Sequence, residues 1–161
     1  MARKAAYSSA TLTVKVTESL TIDGRDYGGS SSTTIASVKN VSRRIETITT
    51  TEAVIVNFDS VVGPGQYTPA AVAYMRFTNL DDTNFITLTL KNSAGDECAI
   101  KLDAGQTFIL AGDNSGGMAS MMNATENADA DSSTNLANLA DIQADADTAS
   151  CDLEVYIAAT A

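Results

Sequence analysis

A chain of 161 residues, 44% of them hydrophobic, is long enough for one domain with its own packed core, so neither a metal nor disulfides are needed to hold it together. It has no His, no Trp and only two Cys, which removes the commonest general base, the commonest metal ligand and any cysteine-rich scaffold. A net charge of -10 repels phosphates, so a nucleic-acid partner is not expected.

In chain order, residues 1–9 hold Arg3 and Lys4 but run into a Ser/Thr pattern with no apolar stretch behind them. That is not a signal peptide, and the segment reads as a short arm, either frayed or clamped on a partner. Leu12, Val14 and Val16 alternate with Thr and Lys, the period of a half-buried strand. Threonine, serine, valine and isoleucine dominate residues 8–51, which suits pleated surfaces and is poor for helix. Turns are expected at Asp23-Gly24, Gly63-Pro64-Gly65, Ala94-Gly95 and Ala104-Gly105. Met75 and Phe77 mark another strand. Ile86, Leu88 and Leu90 form a predicted hairpin with Cys98, Ile100 and Leu102. A strand follows over 106–111. Ile142, Ala144 and Ala146 suggest one more, although a helix through Leu136, Leu139 and Ile142 also fits the composition. The last is Cys151, Leu153, Val155 and Ile157. Eight to ten short strands at this spacing predict an all-β, jelly-roll-like sandwich occupying residues 1–161 as a single domain, with a short N-terminal arm.

Residues 112–135 read as one long acidic loop, and long ordered loops usually have a task. Its Met118, Met121 and Met122 offer a soft apolar surface for a partner, although filling a core gap is the commoner use of Met. Charge is uneven: residues 1–44 carry seven bases against three acids, and ten acids but no base follow Lys101. The basic end, with Arg3, Lys4, Arg43 and Arg44, is therefore a second candidate interface, complementary to the acidic half of a neighbour. Solubility is the plainer account of the acidic half.

No catalytic, cofactor or metal constellation emerges. Asp129-Ala-Asp131 has the spacing of a calcium loop but lacks its turn glycine and terminal Glu. Asp81-Asp82 and Asp96-Glu97 read as solvated neighbours, and no Ser, Cys or Thr stands in a nucleophile motif. The chain is expected not to be an enzyme. Cys98 and Cys151 both fall on inward faces of late strands, where a disulfide is conceivable and buried thiols are the better expectation. No segment approaches the roughly 20 apolar residues of a membrane span, so no membrane partner is expected.

Four stretches, residues 18–24 (ESLTIDG), 74–85 (YMRFTNLDDTNF), 102–108 (LDAGQTF) and 151–157 (CDLEVYI), resemble small virion proteins of tailed phages, particularly those of marine bacteria. The likeness covers most of the chain and lies in turns and strands, so it implies a particle component and transfers no functional residue. The expectation is a non-enzymatic virion protein made in the host cytoplasm. The leading expectation is a capsid decoration or cement protein that binds the major capsid protein or other virion proteins as a homo-oligomer. The alternative is a tail, neck or fibre subunit stacking in rings or filaments. A receptor- or glycan-binding sandwich, using Tyr27, Tyr67 and Phe85, is a third.

Overall fold

The computed structural model describes residues 8–58, 66–111, 117–121 and 139–160. They form an all-β sandwich of two packed sheets, with a two-stranded ribbon standing off one face. Thirteen strands lie among the described residues, more than the alternation alone predicts, because three of them are two-residue pieces.

The strands are β1 (Ala10–Glu18), β2 (Thr21–Ile22), β3 (Arg25–Asp26), β4 (Gly29–Val38), β5 (Asn40–Ile48), β6 (Ala53–Phe58) and β7 (Gln66–Tyr67). They continue as β8 (Val72–Asn79), β9 (Ile86–Asn92), β10 (Glu97–Leu102), β11 (Thr107–Ala111), β12 (Leu139–Ala146) and β13 (Cys151–Ala159). One sheet has the order β10-β9-β12-β6-β7 and the other β11-β8-β13-β5. Antiparallel pairs nest one inside another: β5 with β13, β6 with β12, β8 with β11, and β9 with β10. The chain therefore behaves as one long hairpin wound on itself, and successive strands repeatedly cross from sheet to sheet. The expected hairpin of residues 86–102 is the innermost of these pairs, and residues 139–146 are strand rather than helix.

Alternation sets what lies between the sheets. Met75 and Phe77 on β8 and Leu153, Val155 and Ile157 on β13 face Ile86, Leu88, Leu90 and Ile142 of the other layer, all buried. At about 1.5–3 kcal/mol for each large apolar side chain removed from water, this core is the main stabilising term. Asn79 is fully buried in it and satisfied, its amide donating to the Asn84 and Leu102 carbonyls at 2.8 and 3.1 Å.

Of the long loop expected over 112–135 the described residues are 117–121, which form a short helix, α1 (Gly117–Met121), packed on β8 and β11. Gly117 has φ +57°, and a Cβ there would stand 2.6 Å from the Ala70 carbonyl oxygen and 2.7 Å from that of Val72. Only glycine passes so close. Gly63-Pro64-Gly65 and the Asp129-Ala-Asp131 spacing lie outside the described residues, as do residues 1–7.

The arm that the structure does describe is larger than the one the sequence suggests. β1 and β4 pair only with each other, in continuous register from Leu12 with Ile35 to Glu18 with Gly29. A nine-residue strand such as β1 spans roughly 30 Å. At its far end β2 and β3 join through Asp23 and Gly24, with φ of 50° and 75°. Two consecutive positive φ values are what a two-residue hairpin of matching twist requires, and Asp-Gly supplies them at low cost. At its near end the register shifts between Ala10 and Leu12, and Ser37 takes φ 62°, the mark of a bulge that re-aims the strand.

Candidate interaction surface

The root of the arm rests on the outer face of the four-stranded sheet. Ile35 and Val38 are buried there with Ala73, Tyr74 and Ala158, and Leu12, Val14 and Tyr156 pack against them. Lys39, leading out of the arm, donates its backbone N–H to the Ala159 carbonyl at 2.9 Å and so ties the root to β13. Beyond the root, no described residue of the sandwich supports the arm. Every residue from 15 to 34 is exposed, among them Val16, Leu20, Ile22 and Tyr27, each 40–59% exposed. A two-stranded ribbon is marginally stable in water by itself, and this one leaves apolar side chains in water at its tip.

The sheet's outer face can be mapped from its registers. Val41, Ala158, Tyr74 and Ala111 form one row across β5, β13, β8 and β11, followed by Arg43, Tyr156, Arg76 and Ile109, then Ile45, Glu154, Thr78 and Thr107. The arm root covers part of the first two rows. Val41, Ile45 and Ile109 remain substantially exposed.

Between them lies an ionic cluster. Arg43 Nε donates to one oxygen of Glu154 at 2.5 Å, and Arg76 Nη2 to the other at 2.7 Å. Both carboxylate oxygens are engaged, and the Glu154 carboxyl is held below its ordinary value, chiefly by the Arg43 hydrogen bond; desolvation opposes this, and the charge and hydrogen bond of Arg76 add to the lowering. Arg76 also lies 5.9 Å from the Tyr156 ring centre, which locks the guanidinium in place. The Arg43 side chain stays 69% exposed, so its charge faces outward.

Where arm and sheet diverge they leave a groove of about 360 Å³. Leu12, Val14 and Lys15 form its arm wall and Tyr74, Arg76, Ile109 and Tyr156 its floor. The mixture of apolar floor and basic rim suits a protein segment that is apolar and acidic.

The residues expected to form an interface are scattered. Arg43 lies on the outer face. Arg44 alternates to the other side, pairing with Glu46 and donating to the Ile55 carbonyl on β6 at 2.5 Å, so it staples one sheet to the other. Met118 is fully buried in the core and offers no surface: it fills the space beneath α1, as Met most often does. Met121 belongs to the helix by its backbone, while Arg3, Lys4 and Met122 lie outside the described residues. Tyr67, expected as an exposed ring, is buried; Phe85 is half-buried beneath Lys101, whose Nζ is 4.5 Å from the ring centre, and Tyr27 alone of the three is well exposed.

Cys98 corrects the expectation of two buried thiols. It shares a face with Ile100 and Leu102, but at the outer end of an edge strand, where it is exposed. Cys151 is buried, and the two are free. Asp81 and Asp82 lie in the connection from β8 to β9. There Asp81 accepts the backbone N–H groups of Asn84 and Thr83 at 2.6 and 2.8 Å, which lowers its pKa. Its role is to shape a turn. Among the described residues no three His, Cys, Asp or Glu side chains are grouped to hold a metal, and no helix is long and apolar enough to cross a membrane.

The arm tip was missed because exposed Ser and Thr on β4 look the same in sequence whether or not a sheet lies beneath them. The Ile22-Asp-Gly-Arg25 turn, flanked by exposed Leu20 and Tyr27, is the signal that could have found it. No family model, curated protein or solved structure matches this chain.

Proposed function

We propose that this protein is a non-enzymatic structural component of a tailed-phage particle, a decoration or cement protein that braces the major capsid shell through buried protein surface. The observation that supports this best is the projecting arm, whose exposed Val16, Leu20, Ile22 and Tyr27 are a cost to an isolated molecule and an asset to one that works by docking. The nested strand pairing supports the finer reading of the sandwich as a jelly roll. The resemblance of residues 74–85 and 102–108 to phage virion proteins supplies the setting, and these residues are the turns and strands around β8 and β11.

A second reading, a tail, neck or fibre subunit, draws on the same arm, since a contact between unlike surfaces of identical copies builds rings or filaments. Electron microscopy of intact particles, with an antibody raised against the recombinant chain, separates the two. Regular labelling over the shell supports decoration. Labelling confined to the tail or neck transfers the protein to the second reading, and absence from every particle overturns both.

A further inference from the structure

We propose that the arm tip of one molecule docks in the groove between arm root and sheet of a second copy of this chain. The proposal deepens the reading above by naming the partner of the arm, but its geometric argument is independent of where in a particle the protein sits.

The tip cannot fill the groove of its own molecule. Leu12, Val14 and Lys15 form one wall of that groove, and the ribbon continues from them in unbroken register, Val16 opposite Ser31 and Glu18 opposite Gly29, directed away from it. Among the described residues nothing of the same chain fills it, and the occupant we argue for is the tip of a second copy.

Size, polarity and charge point to the tip of a copy. A stable interface engages about 20–30 residues a side, and residues 15–34 form an uninterrupted exposed stretch of that order. Leu20, Ile22 and Tyr27 are the apolar groups the tip offers, and Ile109 with Leu12 and Val14 is the apolar surface the groove offers. Beyond Lys15 the tip carries Glu18, Asp23 and Asp26 against Arg25 alone. The groove and its margin carry Lys15, Arg43 and Arg76 against Glu154. The signs are opposite, which steers the encounter and fixes its orientation.

Sedimentation velocity of the purified full chain over a concentration series tests this, with two variants. Leu20→Ser/Ile22→Ser alters only the tip, and Ile109→Arg only the groove; both change exposed side chains, and circular dichroism with a thermal melt establishes that each folds. The wild type is expected to self-associate, less strongly at high salt, and each variant alone to associate about tenfold or more weakly. Mixing the two is expected to restore association as heterodimers, because one retains a good groove and the other a good tip. A wild type that stays monomeric, variants that associate as it does, or a mixture that fails to associate overturns the proposal. A monomeric chain that still labels capsid shells overturns it while leaving decoration intact. A self-associating chain absent from every particle does the reverse.

Discussion

Tyr74 and Tyr156 stand edge to face across the β8–β13 ladder, ring centres 5.8 Å apart at 76°, and the root of the arm rests on both. This pair helps to join the sandwich and the ribbon, alongside Ala73, Ala158 and the Lys39 backbone bond to Ala159. Its geometry is the favoured one for aromatic rings and adds to the burial of Ile35 and Val38.

Tyr74→Ala is therefore expected to cost about 3 kcal/mol and to loosen the arm before the sandwich. Limited proteolysis reads this directly: cleavage near Lys39 should accelerate strongly while the core fragment persists. Equal acceleration everywhere would mean that arm and sandwich unfold as one unit.

The Glu154 cluster gives the fold an acid dependence. The folded-state pKa of Glu154 is depressed, so its contribution is complete above the unfolded value of about 4.3 and is lost as pH falls through the lower folded value. Glu154→Gln should lower Tm at pH 7 by about 2–4 °C, and the gap to the wild type should close below about pH 4. A gap constant with pH would separate the residue's packing from its charge.

Two glycines with similar φ should respond differently to alanine. At Gly24, φ +75° with no atom within 4 Å of an added Cβ, the change costs only the left-handed backbone, about 1 kcal/mol. At Gly117 the Ala70 and Val72 carbonyls collide with the new carbon, and the loss should exceed about 2 kcal/mol. Denaturant titration of the two variants compares them.

The thiols should be separable by rate. Cys98 is exposed and should react with a maleimide at once. Cys151 is buried, its thiol pKa pushed up mainly by desolvation, and should react only on unfolding. Cys98→Ser should abolish the fast phase. A fast phase surviving that change would show that β13 opens in the native state.

Polarity alternation made β1, β8, β9, β10, β11, β12 and β13 legible because apolar side chains recur at every second position along each. It could not reveal their nesting, since Ile48 opposite Cys151 or Val56 opposite Ile142 are pairings between distant segments with no local signature. The arm was legible as strands but not as an arm: Ser30 to Thr34 read like the outer half of a sheet, and only three-dimensional structure shows that no sheet lies behind them. Cys98 was assigned to the correct face but to the wrong environment, because alternation gives the direction of a side chain and not the distance to the edge. Arg43 and Arg44 were grouped by adjacency, yet neighbours on a strand point apart, and one faces outward while the other ties β5 to β6.

The position of β13 has a consequence for how the molecule comes into being. It lies between β5 and β8, two strands synthesised long before it, and it satisfies an open ladder on each. Until it emerges from the ribosome, β5 and β8 expose unpaired backbone and the apolar floor that carries Met75 and Phe77. The sandwich cannot close cotranslationally from its N-terminal end, and long-range pairing of this kind is slow. The arm precedes this step and its ladder needs only β1 and β4, but its seat on Tyr156 and Ala158 does not exist until β13 is in place. The arm therefore takes its direction only in a chain that has folded to its last strand.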